Sequence, residues 1–224
     1  MSVATKPYGD PTRSSVLFIG HDPRLQKSDT VAPFSLFADY YFRPRPASSS
    51  EAAKYDLAKA VFQMVGWLTG GSVHPEEMVV TNLCNEALPH APNGKTVLIP
   101  EEQATRGVAE LHQLLSGSSI RVIVATSQQV NYWLQRLGLC SANTAFLEAA
   151  EPSPRGRSAA PAFYQPRKPR AFTLVCGQRH VGPAGTPVFP VVHVKNWPLR
   201  GRFLDAYGAA HERCRHLIQQ DLMA

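Results

Sequence analysis

Four short stretches of this chain carry side chains with chemical capacity. Gly20-His21-Asp22-Pro23 presents a carboxylate beside an imidazole, and Thr81-Asn82-Leu83 presents a carboxamide. Pro33-Phe34-Ser35 presents an aromatic ring, and His193 sits near the end of the apolar run VFPVVHV. A carboxylate can stabilise developing positive charge or orient a water. A carboxamide offers a donor and an acceptor side by side. An imidazole donates or accepts near neutral pH, and an aromatic face suits a planar ligand. Each residue alone also has an ordinary explanation. Asp22 before a proline can initiate a turn. Asn82 can bond a neighbouring backbone, Phe34 can pack in a core, and His193 can be a satisfied buried ring. His21 can be plainly exposed, or can contribute to a ligand site next to Asp22.

The elements around these residues decide whether they meet. Ser15–Gly20 (SVLFIG), Met78–Leu83 (MVVTNL), Ile120–Ala125 (IRVIVA) and Val188–Val194 read as buried strands. Phe172–Cys176 is an additional strand candidate, and Pro190 argues for an edge or bulge in the last strand. Helical spacing runs over Glu51–Leu68, through Ala53, Leu57, Val61, Met64, Val65 and Leu68, with Ser49 or Ser50 as the cap. Further helices are expected from Pro100 to Leu115, from Ser127 to Leu137 and from Arg202 to Leu222. Residues 1–14 read as a loose arm and 151–170 as a basic, Pro-rich loop. Apolar strands alternating with amphipathic helices predict a three-layer α/β/α domain with a mostly parallel sheet of about four strands. The whole of 1–224 is expected to form one domain. Ligands of such sheets bind outside the carboxyl ends of the strands, and Asp22, Asn82 and His193 all fall there.

Taken in order, these residues resemble the uracil-DNA glycosylase superfamily. Gly20-His21-Asp22-Pro23 is similar to that family's G-x-D-P motif after the first strand. Phe34 stands where the family carries a base-stacking aromatic. Asn82 in VVTNLCN stands where an asparagine pairs with the base, and VFPVVHVKNWPLRG supplies the histidine and the loop after it. The resemblance spans about residues 15–205. It implies that Asp22 stabilises a cationic sugar and orients water, and that His193 donates to the departing base. It implies that Asn82 reads the edge of uracil, and that Gly20, His21 and Phe34 complete the base site. Trp197 or Leu199 would fill the gap left by an extruded base, with Lys195 and Arg200 on phosphates. No metal or cofactor is needed for such hydrolysis. The chain departs from the family in three places. Val194-Lys195-Asn196-Trp197-Pro198-Leu199 replaces the usual Pro-Ser-Pro-Leu, Arg24 replaces the aromatic after D-P, and the paired cysteines of the iron–sulfur branch are absent. The branch and the lesion therefore stay open.

Charge points the same way. The 224 residues hold 23 Lys+Arg and 17 Asp+Glu, a net +6. Residues 1–150 carry 12 basic and 13 acidic side chains, whereas 151–224 carry 11 basic and 4 acidic. A basic last third suits a polyanion, and DNA is the expected partner. An apolar content of 44% argues against disorder. No run reaches the ~20 apolar residues of a membrane helix. The N-terminus lacks a secretory pattern, so a cytoplasmic location is expected, and the chain is read as a monomer. Cys84, Cys140, Cys176 and Cys214 are scattered and read as reduced, buried thiols. Two rival functions remain at this level. One is a non-catalytic nucleic-acid-binding protein on the same fold. The other is a nucleotide or nucleoside hydrolase, disfavoured because no phosphate-cradling G-x-x-x-x-G-K-[ST] loop is present.

Overall fold

A computed structural model of the chain describes residues 4–21, 33–86, 88, 97–152, 167–168 and 170–224. Asp22, Arg24 and most of the basic stretch 151–170 lie outside the described residues. Four strands are parallel: β1 (Val16–Gly20), β2 (Met78–Asn82), β3 (Val122–Thr126) and β5 (Pro187–Val191). Every residue in them is buried, as expected for a parallel sheet covered on both faces. The short β4 (His180–Val181) adds to β5 antiparallel, giving the order β2-β1-β3-β5-β4. The sheet thus has five strands rather than about four. Phe172–Cys176 is not a strand: Ala171–Leu174 forms a 3-10 turn instead. Pro190 sits past the reach of β4, whose pairing covers only Pro187 and Val188. Its carbonyl accepts from the Gly177 N–H on that side, so its missing N–H breaks no ladder bond.

Helices α1 (Ser49–Leu68) and α5 (Arg202–Met223) pack together as one layer. Helices α2 (Glu101–Leu115), α3 (Gln128–Arg136) and α4 (Thr144–Ala150) form the other. The buried stripe of α1 runs through Ala52, Ala58, Val61, Phe62, Met64, Val65 and Leu68; Ala53 faces solvent. The cap of α1 is Ser48, and its side chain makes no capping bond. At Gly107 of α2 an added Cβ would lie 1.7 Å from the Leu83 carbonyl oxygen, so only glycine lets α2 settle against the chain leaving β2.

The N-terminal segment, expected as a loose arm, is tied down over residues 4–8. Tyr8 and Val80 exchange two backbone bonds of 2.9 Å, and isolated bridges join Ala4 to Glu86 and Lys6 to Phe34. Backbone pairing explains this, and apolar periodicity cannot register it.

Candidate functional site at the strand-end rim

Parallel pairing brings Gly20, Asn82 and the chain leading to His193 to one rim in a fixed order. Gly20 of β1 lies opposite Asn82 of β2 in register. The ladder continues one step, with Leu83 N–H donating to Gly20 O and Cys84 N–H to His21 O. Thr126 closes β3 and donates its hydroxyl to Ile19 O at 3.0 Å. His193 follows β5 by two residues. Asn82 and His193 thus stand three strand spacings apart, about 14 Å at the backbone.

Asn82 is 1% exposed, and neither its Nδ2 nor its Oδ1 has a hydrogen-bond partner among the described residues. Leaving such a buried group unpaired costs about 1–3 kcal/mol. A Cβ added to Gly20 would sit 2.6 Å from Asn82 Oδ1 and 2.8 Å from Leu36 Cδ1. Gly20 therefore makes room for the carboxamide, and the apolar Leu36 shares the same face. Leu36 and Phe37 hold φ of 53° and 56°, the left-handed region that disfavours side chains. Backbone strain here accompanies the placement of Leu36 against the amide.

Phe34 is half-buried and meets the edge of Tyr8 at 5.6 Å. Because Tyr8 pairs with Val80, Phe34 belongs to the same corner as Asn82. Ser35 anchors it: its backbone N–H donates to Lys6 O, and its hydroxyl donates to Asn85 Oδ1 at 3.2 Å.

His21 is buried, which overturns the reading of plain exposure. Gln129 of α3 stands 2.6 Å from it, Nε2 to Nε2. The same Gln129 nitrogen donates to Val97 O at 3.0 Å, while its Oε1 accepts from Ile99 N–H. Those two backbone bonds orient the amide, so the remaining N–H points at His21. His21 Nε2 must then be the acceptor, which places the proton of the neutral ring on Nδ1.

His193 is half-buried and caps the 3-10 turn Val194–Asn196, its Nδ1 accepting from Lys195 N–H at 3.1 Å. With Nδ1 an acceptor, the neutral ring carries its proton on Nε2. Beyond it, Lys195 and Arg200 are exposed, and Leu199 is half-buried against the core. Trp197, a wedge candidate in sequence, is tied into a stack. Its ring lies 4.8 Å from Trp67 of α1 and 6.0 Å from His211 of α5. Of the two wedge candidates, Leu199 lies outside that stack.

At three residues of this rim the structural feature has no signal in the sequence. Gln129 is one polar residue in an amphipathic helix, and Leu36 reads as ordinary apolar content. Ser127, between β3 and α3, holds φ 72° and ψ 154°, a region nearly reserved for glycine. A strained residue at a strand-to-helix turn is invisible to composition. All four cysteines are free and buried. Burial pushes the Cys140 and Cys176 thiols up to about 12 and raises Cys214 well above the ordinary thiol range, so none of these three is a thiolate nucleophile. Among the described residues no helix is long and apolar enough to cross a membrane.

No known family model matches this chain, and neither does any curated protein.

Proposed function

We propose that this protein is a DNA glycosylase of the uracil-DNA glycosylase type. It extrudes a damaged base, uracil first among the candidates, and hydrolyses its N-glycosidic bond. The observation that carries this reading is the Asn82 carboxamide, buried at a strand end with both polar atoms unpaired. A ligand that presents a donor beside an acceptor would offset that cost. Uracil does so with N3–H and O4, whereas cytosine reverses the edge and would leave the groups mispaired. Phe34, in the same corner, stacks on the ring. The Nδ1 cap on His193 supports a neutral imidazole whose Nε2–H donates to the base O2 as negative charge develops there. Asp22 follows His21 directly in sequence; by resemblance it faces the sugar and orients the water that attacks C1′. The base leaves with the bonding electron pair. No metal or cofactor takes part, and the protein acts as a monomer on DNA.

The test is release of uracil from a labelled oligonucleotide, single- and double-stranded. Asp22→Asn and His193→Ala should each lower the rate by about 100-fold or more. No release from either substrate overturns the uracil assignment, and the other deaminated bases are then assayed in the same format.

A further inference from the structure

The histidine most buried in the described structure is not at the rim. His211 of α5 is 1% exposed, and its Nδ1 has no partner among the described residues. Packing alone does not call for it, since burying the ring leaves its Nδ1 orphaned. What the ring does is accept. Its Nε2 takes the Val192 N–H at 3.2 Å, one residue before His193. Its face lies near parallel to Trp197, at 6.0 Å and 19°, four residues after His193. Trp197 in turn rests on Trp67, over which the Arg215 guanidinium stands at 5.0 Å. One imidazole therefore holds the chain on both sides of His193.

We propose that His211 is a positioning residue for His193. It fixes the Val192 amide and the Trp197 ring, and so keeps the His193 ring in the capped, Nε2-protonated form at the rim. The proposal rests on the reading of His193 as the group that stabilises the departing base. The physical link is short. If Val192 shifts, the His193 backbone shifts with it, and the Nδ1 cap on Lys195 N–H, which favours the Nε2-protonated tautomer, is weakened. Burial supports the arrangement by pushing the His211 pKa down to about 4, which keeps the Nε2 lone pair available at neutral pH.

The first measurement needs no substrate. In isotope-labelled wild-type protein, a scalar coupling should link the Val192 amide nitrogen to His211 Nε2. The His193 ring should show a single tautomer with its proton on Nε2. Absence of either overturns the proposal. His211→Gln, whose Oε1 can accept the same N–H, should keep the His193 signature. His211→Leu should mix the two tautomers, and an unchanged His193 in folded His211→Leu overturns the proposal. These readouts stand whether or not uracil is released, so they separate this inference from the glycosylase reading. On a uracil-containing oligonucleotide, His211→Leu should lower kcat by about 100-fold while KM stays within about threefold. His211→Gln should recover most of the loss. In a His193→Ala background the His211→Leu penalty should vanish, because both changes remove the same function. Independent, additive losses overturn it.

Discussion

At Asn82 stability and function are set against each other in one side chain. Its two orphaned polar atoms weaken the fold, and a ligand edge is what they suit. Asn82→Leu should therefore raise stability by about 1–2 kcal/mol in urea unfolding while abolishing base release. A variant no more stable than the parent would mean that the carboxamide is satisfied within the protein, which removes the main support for a base edge there. The motif in which Asn82 was found says which residue type stands at the strand end. It does not say that the amide is left unpaired, because that depends on Gly20 lacking a Cβ and on Leu36 closing the same face.

Among the elements, α3 is tied to the rim through Gln129. This side chain, 2% exposed, joins α3 to the segment at Val97 and Ile99 and to His21 on the chain leaving β1. Gln129→Leu leaves the Ile99 N–H and Val97 C=O without that partner and should cost about 1–3 kcal/mol. It also frees His21 from its acceptor role, so the His21 ring should lose the single Nδ1–H tautomer in nitrogen spectra. A preserved tautomer would show that other contacts fix the ring. Elements with strong apolar periodicity, β1, β2, β3, α2 and α5, were legible in the sequence to within a residue or two. Three others were not. The strand β4 is two residues long, α4 is seven, and Phe172–Cys176 has strand-like composition yet turns as a 3-10 segment. Short elements carry too few residues for a period, and tertiary packing overrides propensity there.

For the molecule as a whole, two buried histidines and one charge asymmetry set the expected response to conditions. Desolvation lowers the pKa of His211 to about 4 and also lowers that of His180. In the unfolded chain both return to the ordinary value of 6.5. Between these limits the unfolded state binds more protons than the folded one, so stability falls as pH falls. His211 should contribute no penalty above its unfolded pKa and a loss of about 3 kcal/mol by pH 4. Urea unfolding from neutral pH to about pH 4.5 checks this, and His211→Gln should flatten the profile. Charge belongs to the same scale. Arg167 pairs with Glu151 and Arg179 with Asp221, while Lys195 and Arg200 lie exposed beyond His193. Lys195→Glu or Arg200→Glu should weaken DNA affinity and reduce the salt slope by about 1, whereas Lys59→Glu on α1 should do neither. Equal effects at all three positions would mean that binding is diffuse.

The sequence by itself determined the alternation of strands and helices, the placement of Asn82 at the end of a strand and of His193 just past one, and the surplus of positive charge in the last third. These are local or additive properties, readable from the period of apolar residues and from counting. Only the tertiary structure decided the strand order, and with it which ends are neighbours. It also decided that Tyr8 pairs with Val80 on the outer edge of β2, that His21 is buried against Gln129, and that Trp197 stacks on His211 rather than standing clear of the loop. Each of those depends on groups far apart in the chain coming within a few ångströms. No pattern along one segment encodes that distance, because closing it is the work of the packed core.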